Sequence, residues 1–209
     1  MIAAAASRIR EQHAWLSQLD CTAGDGDHGS TMLRAMSRLE KVFPPAGPAD
    51  FKAAFSDAGW SVMGADGGAS SSLLGAFFLG IGEVTAAGAA SWTCAELAAA
   101  FQGGLAAVRA QTKARPGDKT MMDALVPAID ALAEASHAGH QVRQAMAEAA
   151  RAAKLGARAT EDMVARFGRA RLLGERTRGS QDPGAASIAL IFEGFCRATK
   201  ESEGEDGNA

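Results

Sequence analysis

Helical periodicity runs through almost the whole chain, and the apolar–polar alternation typical of β-strands is nearly absent. Glycine, proline and short polar residues interrupt this periodicity at intervals. Eight helices are predicted, at residues 2–19, 30–43, 50–65, 70–87, 94–113, 119–136, 140–167 and 184–199. The pattern therefore predicts an all-α protein.

The composition fits a single helical domain. The chain has 209 residues, 47% of them hydrophobic, which is enough apolar material for one sizeable core. Tyrosine is absent and aromatic residues are only 6%, while alanine is abundant, a balance that favours closely packed helices. We predict one domain over residues 1–200 and an acidic, disordered tail at 201–209.

Charge and cysteine usage exclude several classes of protein. The net charge of −3 gives no general attraction to nucleic acid or anionic membranes, so we expect no partner of either kind. The three cysteines are widely spaced and argue against a disulfide framework or a zinc site. No signal peptide and no apolar run of about 18 residues is evident. A cytoplasmic location is the simplest interpretation.

The connections between the predicted helices are of two kinds, which alternate along the chain. Those at 44–50, 86–93 and 135–140 carry ordinary turn residues. The others carry unusual glycines, aspartates and basic residues, and they fall at 19–31, 64–71, 112–121 and 168–184. Since alternate connections of an up-and-down bundle lie at the same end, these four should meet at one rim and build a composite site.

Three aspartates stand within eight residues of the first unusual connection: Asp20, Asp25 and Asp27. Carboxylates this close repel one another unless a cation lies among them, and their oxygens suit Mg²⁺ or Ca²⁺. An EF-hand loop starting at Asp25 would need ligands where this chain has Gly29 and Met36. The spacing therefore predicts a divalent-cation site outside the EF-hand class, with helix capping as the simpler alternative.

The same connections also suit phosphate. Each ends at a predicted helix N-terminus, whose unpaired N–H groups and dipole favour an anion. Gly24, Gly26 and Gly29 would let the backbone approach a ligand closely. Neither a Walker-type loop nor a dinucleotide-binding glycine pattern is present. Because aspartates alone would repel phosphate, a bridging cation is needed, and the combination indicates metal-assisted phosphoryl transfer.

Four stretches together resemble the nucleotide-binding L subunit of dihydroxyacetone (glycerone) kinases: GDGDHGSTM at 24–32, GGAS at 67–70, PGDKTM at 116–121 and LGERTRGSQDPGA at 173–185. The resemblance spans nearly the whole chain. It implies an antiparallel, up-and-down eight-helix barrel with nucleotide and magnesium at one rim. It also implies a phosphotransferase that uses ATP or ADP with Mg²⁺, two ions being expected.

The resemblance carries site residues onto this sequence. It implies that the magnesium ligands are Asp20, Asp25 and Asp27. It implies that His28, Gly29, Ser30 and Thr31 form a phosphate-facing turn, and that Ala69 and Ser70 form a second phosphate-contacting turn. It implies that Thr112 and Met121 lie at the adenine. The last group of implied nucleotide contacts is Arg169, Asp182, Pro183 and Gly184. Thr112 is placed by spacing alone. No residue is assigned as a catalytic acid or base.

The resemblance also implies a partner. In this family the sugar is held on a separate K subunit or domain, for which 209 residues leave no room beside the barrel. The nucleotide is either exchangeable ATP or an ADP coenzyme phosphorylated by a phosphotransferase-system subunit. His28 is typical of the second kind, whereas Ser30-Thr31 is typical of the first and Ser71-Ser72 departs from the second. The alternatives are a kinase subunit for another small ketose such as erythrulose, a stand-alone phosphohydrolase, and a non-catalytic nucleotide-binding regulator.

Overall fold

The computed structural model describes residues 1–44, 47–65 and 67–205, with side chains described as far as residue 200. Within these residues the chain contains α-helices and two short 3-10 segments, and no strand. The helices are α1 (Ile2–Cys21), α2 (His28–Val42), α3 (Phe51–Met63), α4 (Gly68–Val84), α5 (Cys94–Gln111), α6 (Met122–His137), α7 (Val142–Ala159) and α8 (Pro183–Glu205), and the 3-10 segments are Thr160–Asp162 and Arg169–Thr177.

The eight helices form a closed ring. Each helix packs against the next along the chain, and α8 packs back against α1. Small residues permit this closure, since a Cβ added at Gly194 of α8 would lie 2.4 Å from the Cα of Ala5 in α1. The prediction of an all-α, up-and-down eight-helix barrel is confirmed.

A hydrophobic core fills the ring. Phe101 of α5 is buried in this core, with ring centroids 5.5 Å from Phe77 of α4 and 6.0 Å from Phe195 of α8, both in edge-on arrangements. α7 contributes mainly buried alanines, which let it lie close to its neighbours: Ala145, Ala149, Ala153 and Ala157. The scarcity of aromatic residues in the sequence thus corresponds to helices packed through small side chains.

The seventh helix is shorter than predicted. It ends at Ala159 and not at residue 167. The hydroxyl of Thr160 donates to Ala157 O at 2.5 Å and accepts from Asp182 N at 2.9 Å. Side-chain bonds of this kind compete with the helical ladder. The residues that follow form the 3-10 segments and belong to the long connection that leads to α8.

The last helix begins as predicted, with Asp182 before Pro183. The Asp182 carboxylate accepts from Ala185 N at 2.7 Å, which caps the helix. α8 continues to Glu205, so the backbone is helical over the first part of the segment predicted to be a disordered tail. Residues 206–209 lie outside the described residues. No helix in the described part of the chain has the length and apolar character needed to cross a membrane.

Candidate functional site

A cavity of about 720 Å³ opens at the rim where the four unusual connections meet. Its lining residues come from all four connections and from the helix ends beside them, within 20–34, 67–74, 112–122 and 167–188. The convergence predicted from the alternation of connections is therefore observed. All the predicted site residues line this cavity except Gly29 and Ser30, which lie in the first turn of α2.

The three aspartates lie together at one side of the cavity. One carboxylate oxygen from each of Asp20, Asp25 and Asp27 lies within 4.8 Å of the others, the only such acidic group in the described part of the chain. Two glycines permit this approach. A Cβ added at Gly24 would lie 2.1 Å from Asp20 Oδ1, and Gly26 has a φ of +76°, which an L side chain rarely adopts.

The protein compensates the charge of this trio only in part. The Arg169 guanidinium forms an ion pair with Asp25. Its hydrogen bond and positive charge lower the pKa of Asp25. The loss of hydration, and then the negative charge of Asp25, raise the pKa of Asp27. Hard oxygen donors that repel one another in this way fit a divalent cation.

His28 joins the N-terminal ends of three helices. It is the first residue of α2, is 6% exposed, and has Nε2 3.2 Å from Ser187 Oγ of α8 and Nδ1 3.5 Å from Ser70 Oγ of α4. The Ser187 hydroxyl already donates to Gly184 O, so Nε2 is the donor to it and Nδ1 accepts from Ser70. Burial lowers the pKa of His28, which keeps the ring neutral. The N-termini of α2, α4 and α8 therefore converge on one region, which suits phosphate groups.

The first turn of α4 approaches α2 closely. Gly68 has a φ of +57°, and a Cβ added at Gly67 would lie 2.0 Å from Ser71 Oγ and 2.6 Å from Thr31 Cγ2. Glycine at both positions lets the backbone pass beside Thr31. Ala69 and Ser70, the predicted second phosphate-contacting turn, follow directly and line the cavity.

A further part of the cavity wall is apolar. It is formed by Leu73, Leu74, Met121, Met122, Phe167 and Ile188. Thr112, which is predicted at the adenine together with Met121, also lines the cavity. The site thus offers both charged and apolar walls, and that division fits a nucleotide, whose phosphates and base need different surroundings.

Lys119 is a lining residue that sequence reasoning left without a role. It is 5% exposed, and its φ of +60° makes it the one non-glycine residue with positive φ in the described part of the chain. Its Nζ donates to Thr160 O at 2.5 Å and to Ser180 O at 2.6 Å. It therefore joins the turn before α6 to both ends of the α7–α8 connection. Its place in PGDKTM was the available signal.

Arg34 and Ser187 are two further lining residues that the sequence reasoning missed. Arg34 donates to Thr31 Oγ1 at 2.9 Å and to Ser30 Oγ at 3.4 Å, from one turn further along α2. Ser187 lies one turn after Pro183 in α8. In both cases the signal was helical spacing, since a residue three or four positions after a ligand-binding turn shares its face.

Asp182 is the most perturbed carboxylate of the site. Loss of hydration raises its pKa to about 7, and the nearby Asp123 adds to the increase, although the Ala185 N–H and the Lys119 ammonium oppose it. The carboxylate nevertheless keeps its capping bond at the start of α8. Its protonation is therefore linked to the stability of this part of the cavity wall.

Several known proteins have sequences similar to that of this chain. The DAK2 domain matches residues 22–197. The chain is 37% identical over 187 residues to the ADP-binding subunit DhaL of the PEP-dependent dihydroxyacetone kinase of Escherichia coli, covering 90% of this chain and 89% of that one. It is 37% identical over 190 residues to the L-erythrulose 1-kinase of Mycolicibacterium smegmatis, covering 88% of this chain and 32% of that one.

Solved structures show the same fold. The crystal structure of the dihydroxyacetone kinase of C. freundii matches with a TM-score of 0.72 and 25% identity over 94% of this chain and 33% of that one. The structure of the C. freundii kinase in complex with AMP-PNP and Mg²⁺ matches with a TM-score of 0.70, 26% identity and the same coverage of both chains. This chain thus spans about a third of the length of that kinase.

Proposed function

The chain belongs to the DAK2 domain family, and on that premise we propose that it is the nucleotide-binding, phosphoryl-transfer subunit of a dihydroxyacetone (glycerone) kinase. It delivers a phosphoryl group from magnesium-bound ATP, or from a phosphorylated ADP coenzyme, to a ketose held on a K subunit. The observation that carries the proposal is that the three clustered aspartates line a cavity formed by the four connections. Relatives from Escherichia coli and Listeria innocua, named as ADP-binding subunits of dihydroxyacetone kinases, support it.

The residues present fit magnesium. Asp20, Asp25 and Asp27 are hard oxygen donors close enough to share an ion, and their mutual repulsion is incompletely offset by Arg169. These three side chains would hold the metal. When bound, magnesium neutralises phosphate charge and orients the phosphates for in-line transfer. Two ions are expected, as the resemblance implies.

The phosphates are assigned to the region where α2, α4 and α8 begin. Backbone N–H groups of these first turns, beside His28, Thr31 and Ser70, provide uncharged donors. The guanidinium groups of Arg34 and Arg169 line the same cavity and provide positive charge. The base is assigned to the apolar wall, with Thr112 and Met121 beside it.

The chain positions the phosphoryl donor, and we assign it no general base. His28 is buried, kept neutral and committed to Ser70 and Ser187. Transfer through a loose transition state depends mainly on positioning and on neutralisation of charge, for which such a site is suited. The group that accepts the proton of the sugar hydroxyl would belong to the K subunit, which also selects the sugar.

The decisive experiment measures transfer with a purified K subunit. The chain, the K subunit, Mg²⁺ and ATP are combined with dihydroxyacetone, and dihydroxyacetone phosphate is followed by a coupled reductase assay. We expect Asp25→Asn and Asp27→Asn each to abolish transfer with the helical fold retained, because the metal loses a ligand. Asp57→Asn, in an exposed carboxylate on α3, is the matched control and should leave the rate unchanged. Full activity in either site variant would refute the metal assignment.

Two finer points need separate measurements. Native mass spectrometry of the purified protein distinguishes retained ADP, which indicates the coenzyme mode and a phosphotransferase-system donor, from an empty site that binds ATP reversibly.

The similarity to an L-erythrulose 1-kinase supports erythrulose as a second candidate acceptor. Assaying both sugars with each K subunit would show whether the acceptor changes with the K subunit while this chain stays the same.

A further inference from the structure

Leu172 is 82% exposed, more than any other large hydrophobic side chain in the described part of the chain. It lies in the second 3-10 segment, whose first residues Arg169 and Ala170 line the cavity. A single exposed leucine is ordinary on a protein surface. Its position beside the cavity mouth and the charges around it distinguish this one.

Two exposed arginines flank Leu172 and have no ion pair within the described residues: Arg171 and Arg176. The other three arginines between residues 163 and 179 form ion pairs: Arg166 with Asp118, Arg169 with Asp25, and Arg178 with Glu175. Basic residues outnumber acidic ones eight to three between 151 and 178, although the whole chain has a net charge of −3. An exposed leucine on the same connection as two guanidinium groups without ion pairs matches a protein surface with an apolar recess bordered by carboxylates.

This surface is held in place before any partner binds. At the base of the connection, Gly179 N donates to Glu161 O at 2.9 Å, which joins its two ends. Within it, Ala165 N donates to the buried hydroxyl of Thr177 at 3.0 Å. Leu172 therefore projects from an anchored segment, and an anchored segment loses less conformational entropy on binding than a free loop.

We propose that Arg171, Leu172 and Arg176 form the docking surface for the K subunit that carries the ketose. Leu172 enters an apolar recess of that protein, and the two arginines face acidic groups around it. This inference rests on the proposed function. It commits to the K subunit because direct transfer requires the acceptor to reach the cavity mouth, and Leu172 is three residues from the mouth-lining Arg169. Burial of the leucine contributes to the affinity for the K subunit. The arginines orient the two proteins and increase the rate at which they associate.

The test titrates a purified K subunit, loaded with dihydroxyacetone, against the chain at saturating Mg-ATP. Leu172→Asp should raise the K-subunit concentration that gives half-maximal transfer at least about tenfold, which corresponds to ~1.4 kcal/mol. Nucleotide affinity, measured without the K subunit, should not change. The matched control is Val84→Asp, which alters an apolar side chain that is 55% exposed at the end of α4 remote from the cavity.

A second variant tests the charges. Arg171→Glu combined with Arg176→Glu should raise the half-saturating concentration and remove most of its dependence on NaCl. An unchanged value in Leu172→Asp, with the wild-type chain active, overturns the docking inference alone. A wild-type chain that neither binds the K subunit nor supports transfer overturns the proposed function as well. Leucine-dependent binding to RNA or anionic vesicles, without an effect on the K subunit, would also overturn the inference.

Discussion

The Arg169 guanidinium holds the Asp25 carboxylate in an ion pair that joins the α7–α8 connection to the turn between α1 and α2. Asp25 is also one of the three carboxylates that would ligate magnesium. A cation placed among these aspartates must therefore share Asp25 with Arg169 or displace it. The same arginine is then available to a phosphate group in the cavity that it lines.

This competition predicts opposite effects of Arg169→Met on metal binding and on transfer. Mg²⁺ alone, titrated calorimetrically without nucleotide, should bind severalfold more tightly because its competitor for Asp25 is gone. Phosphoryl transfer with the K subunit should fall at least about tenfold because a phosphate-facing charge is lost. Arg171→Met, which alters an exposed arginine two residues away, should leave the magnesium titration unchanged. Weaker Mg²⁺ binding in Arg169→Met would contradict the competition.

Replacing Lys119 should destabilise the cavity wall. Lys119→Met keeps most of the apolar stem of the side chain but removes both ammonium bonds, so the Ser180 carbonyl loses its Lys119 donor and the Thr160 carbonyl is left with the bond from Met163 N at 3.1 Å. We expect the free energy of unfolding in urea to fall by about 2–4 kcal/mol, and nucleotide affinity to fall with it. Lys154→Met, at an exposed position of α7, provides the comparison and should behave as wild type. Equal stability of the two variants would show that the lysine is dispensable.

The raised pKa of Asp182 predicts a pH-dependent stability. Its folded-state pKa of about 7 lies above the ordinary value of ~3.9. Between these values the folded chain binds a proton that the unfolded chain does not, so this group's contribution to stability is present at low pH. That contribution falls as pH rises and is lost above about pH 7.

Asp182→Asn tests this dependence while keeping an acceptor for Ala185 N. The melting temperature of the variant, relative to wild type, should rise progressively from pH 5 to pH 8 in nucleotide-free protein. Differential scanning fluorimetry at a series of pH values is sufficient. Asp57→Asn, on the exposed face of α3, should show a constant difference over the same range. A constant difference in Asp182→Asn as well would exclude the raised pKa.

Gly29 sets the spacing between α1 and α2 beneath the aspartate trio. A Cβ added there would lie 1.9 Å from the backbone oxygen of His13. Gly29→Ala should therefore cost about 2 kcal/mol or more of unfolding free energy and weaken magnesium binding, because the helices must separate. At Gly64 the nearest atom, Trp60 O, lies 3.4 Å from such a Cβ, so Gly64→Ala should cost less than about 1 kcal/mol. Similar denaturation midpoints for the two variants would disprove this reading of Gly29.

The sequence predicted the fold well because helical spacing and helix breakers are local signals. Pro44 and the Asp182-Pro183 pair marked helix ends that the structure reproduces. The alternation of connections placed Asp20, Ser70, Met121 and Pro183 on one rim without any knowledge of contacts, since topology alone fixes which ends coincide. The metal and nucleotide roles of these residues stay predictions.

The rest depended on tertiary contacts that local sequence does not specify. The end of α7 is set by the Thr160 hydroxyl, whose second bond comes from Asp182, 22 residues away in the chain. Lys119 makes its two bonds to carbonyls 41 and 61 residues away. Hydrogen bonds between residues this far apart in the chain form only in the folded ring, so local sequence patterns do not predict them. Arg34 is different, because its partner Thr31 is three residues earlier on the same helix and this spacing is a local feature of the sequence.

The even number of helices has a practical consequence. α1 runs toward the cavity and α8 runs away from it, so the first residue of one and the last residue of the other lie at the opposite end of the barrel. A helix of 20 residues is about 30 Å long. An affinity tag, a fluorophore or a surface tether attached at Ile2 of α1 or at Glu205 of α8 would therefore be joined to the barrel a full helix length from the cavity. In protein immobilised this way the cavity opening should face the solution, which makes it feasible to observe single binding events of a partner protein.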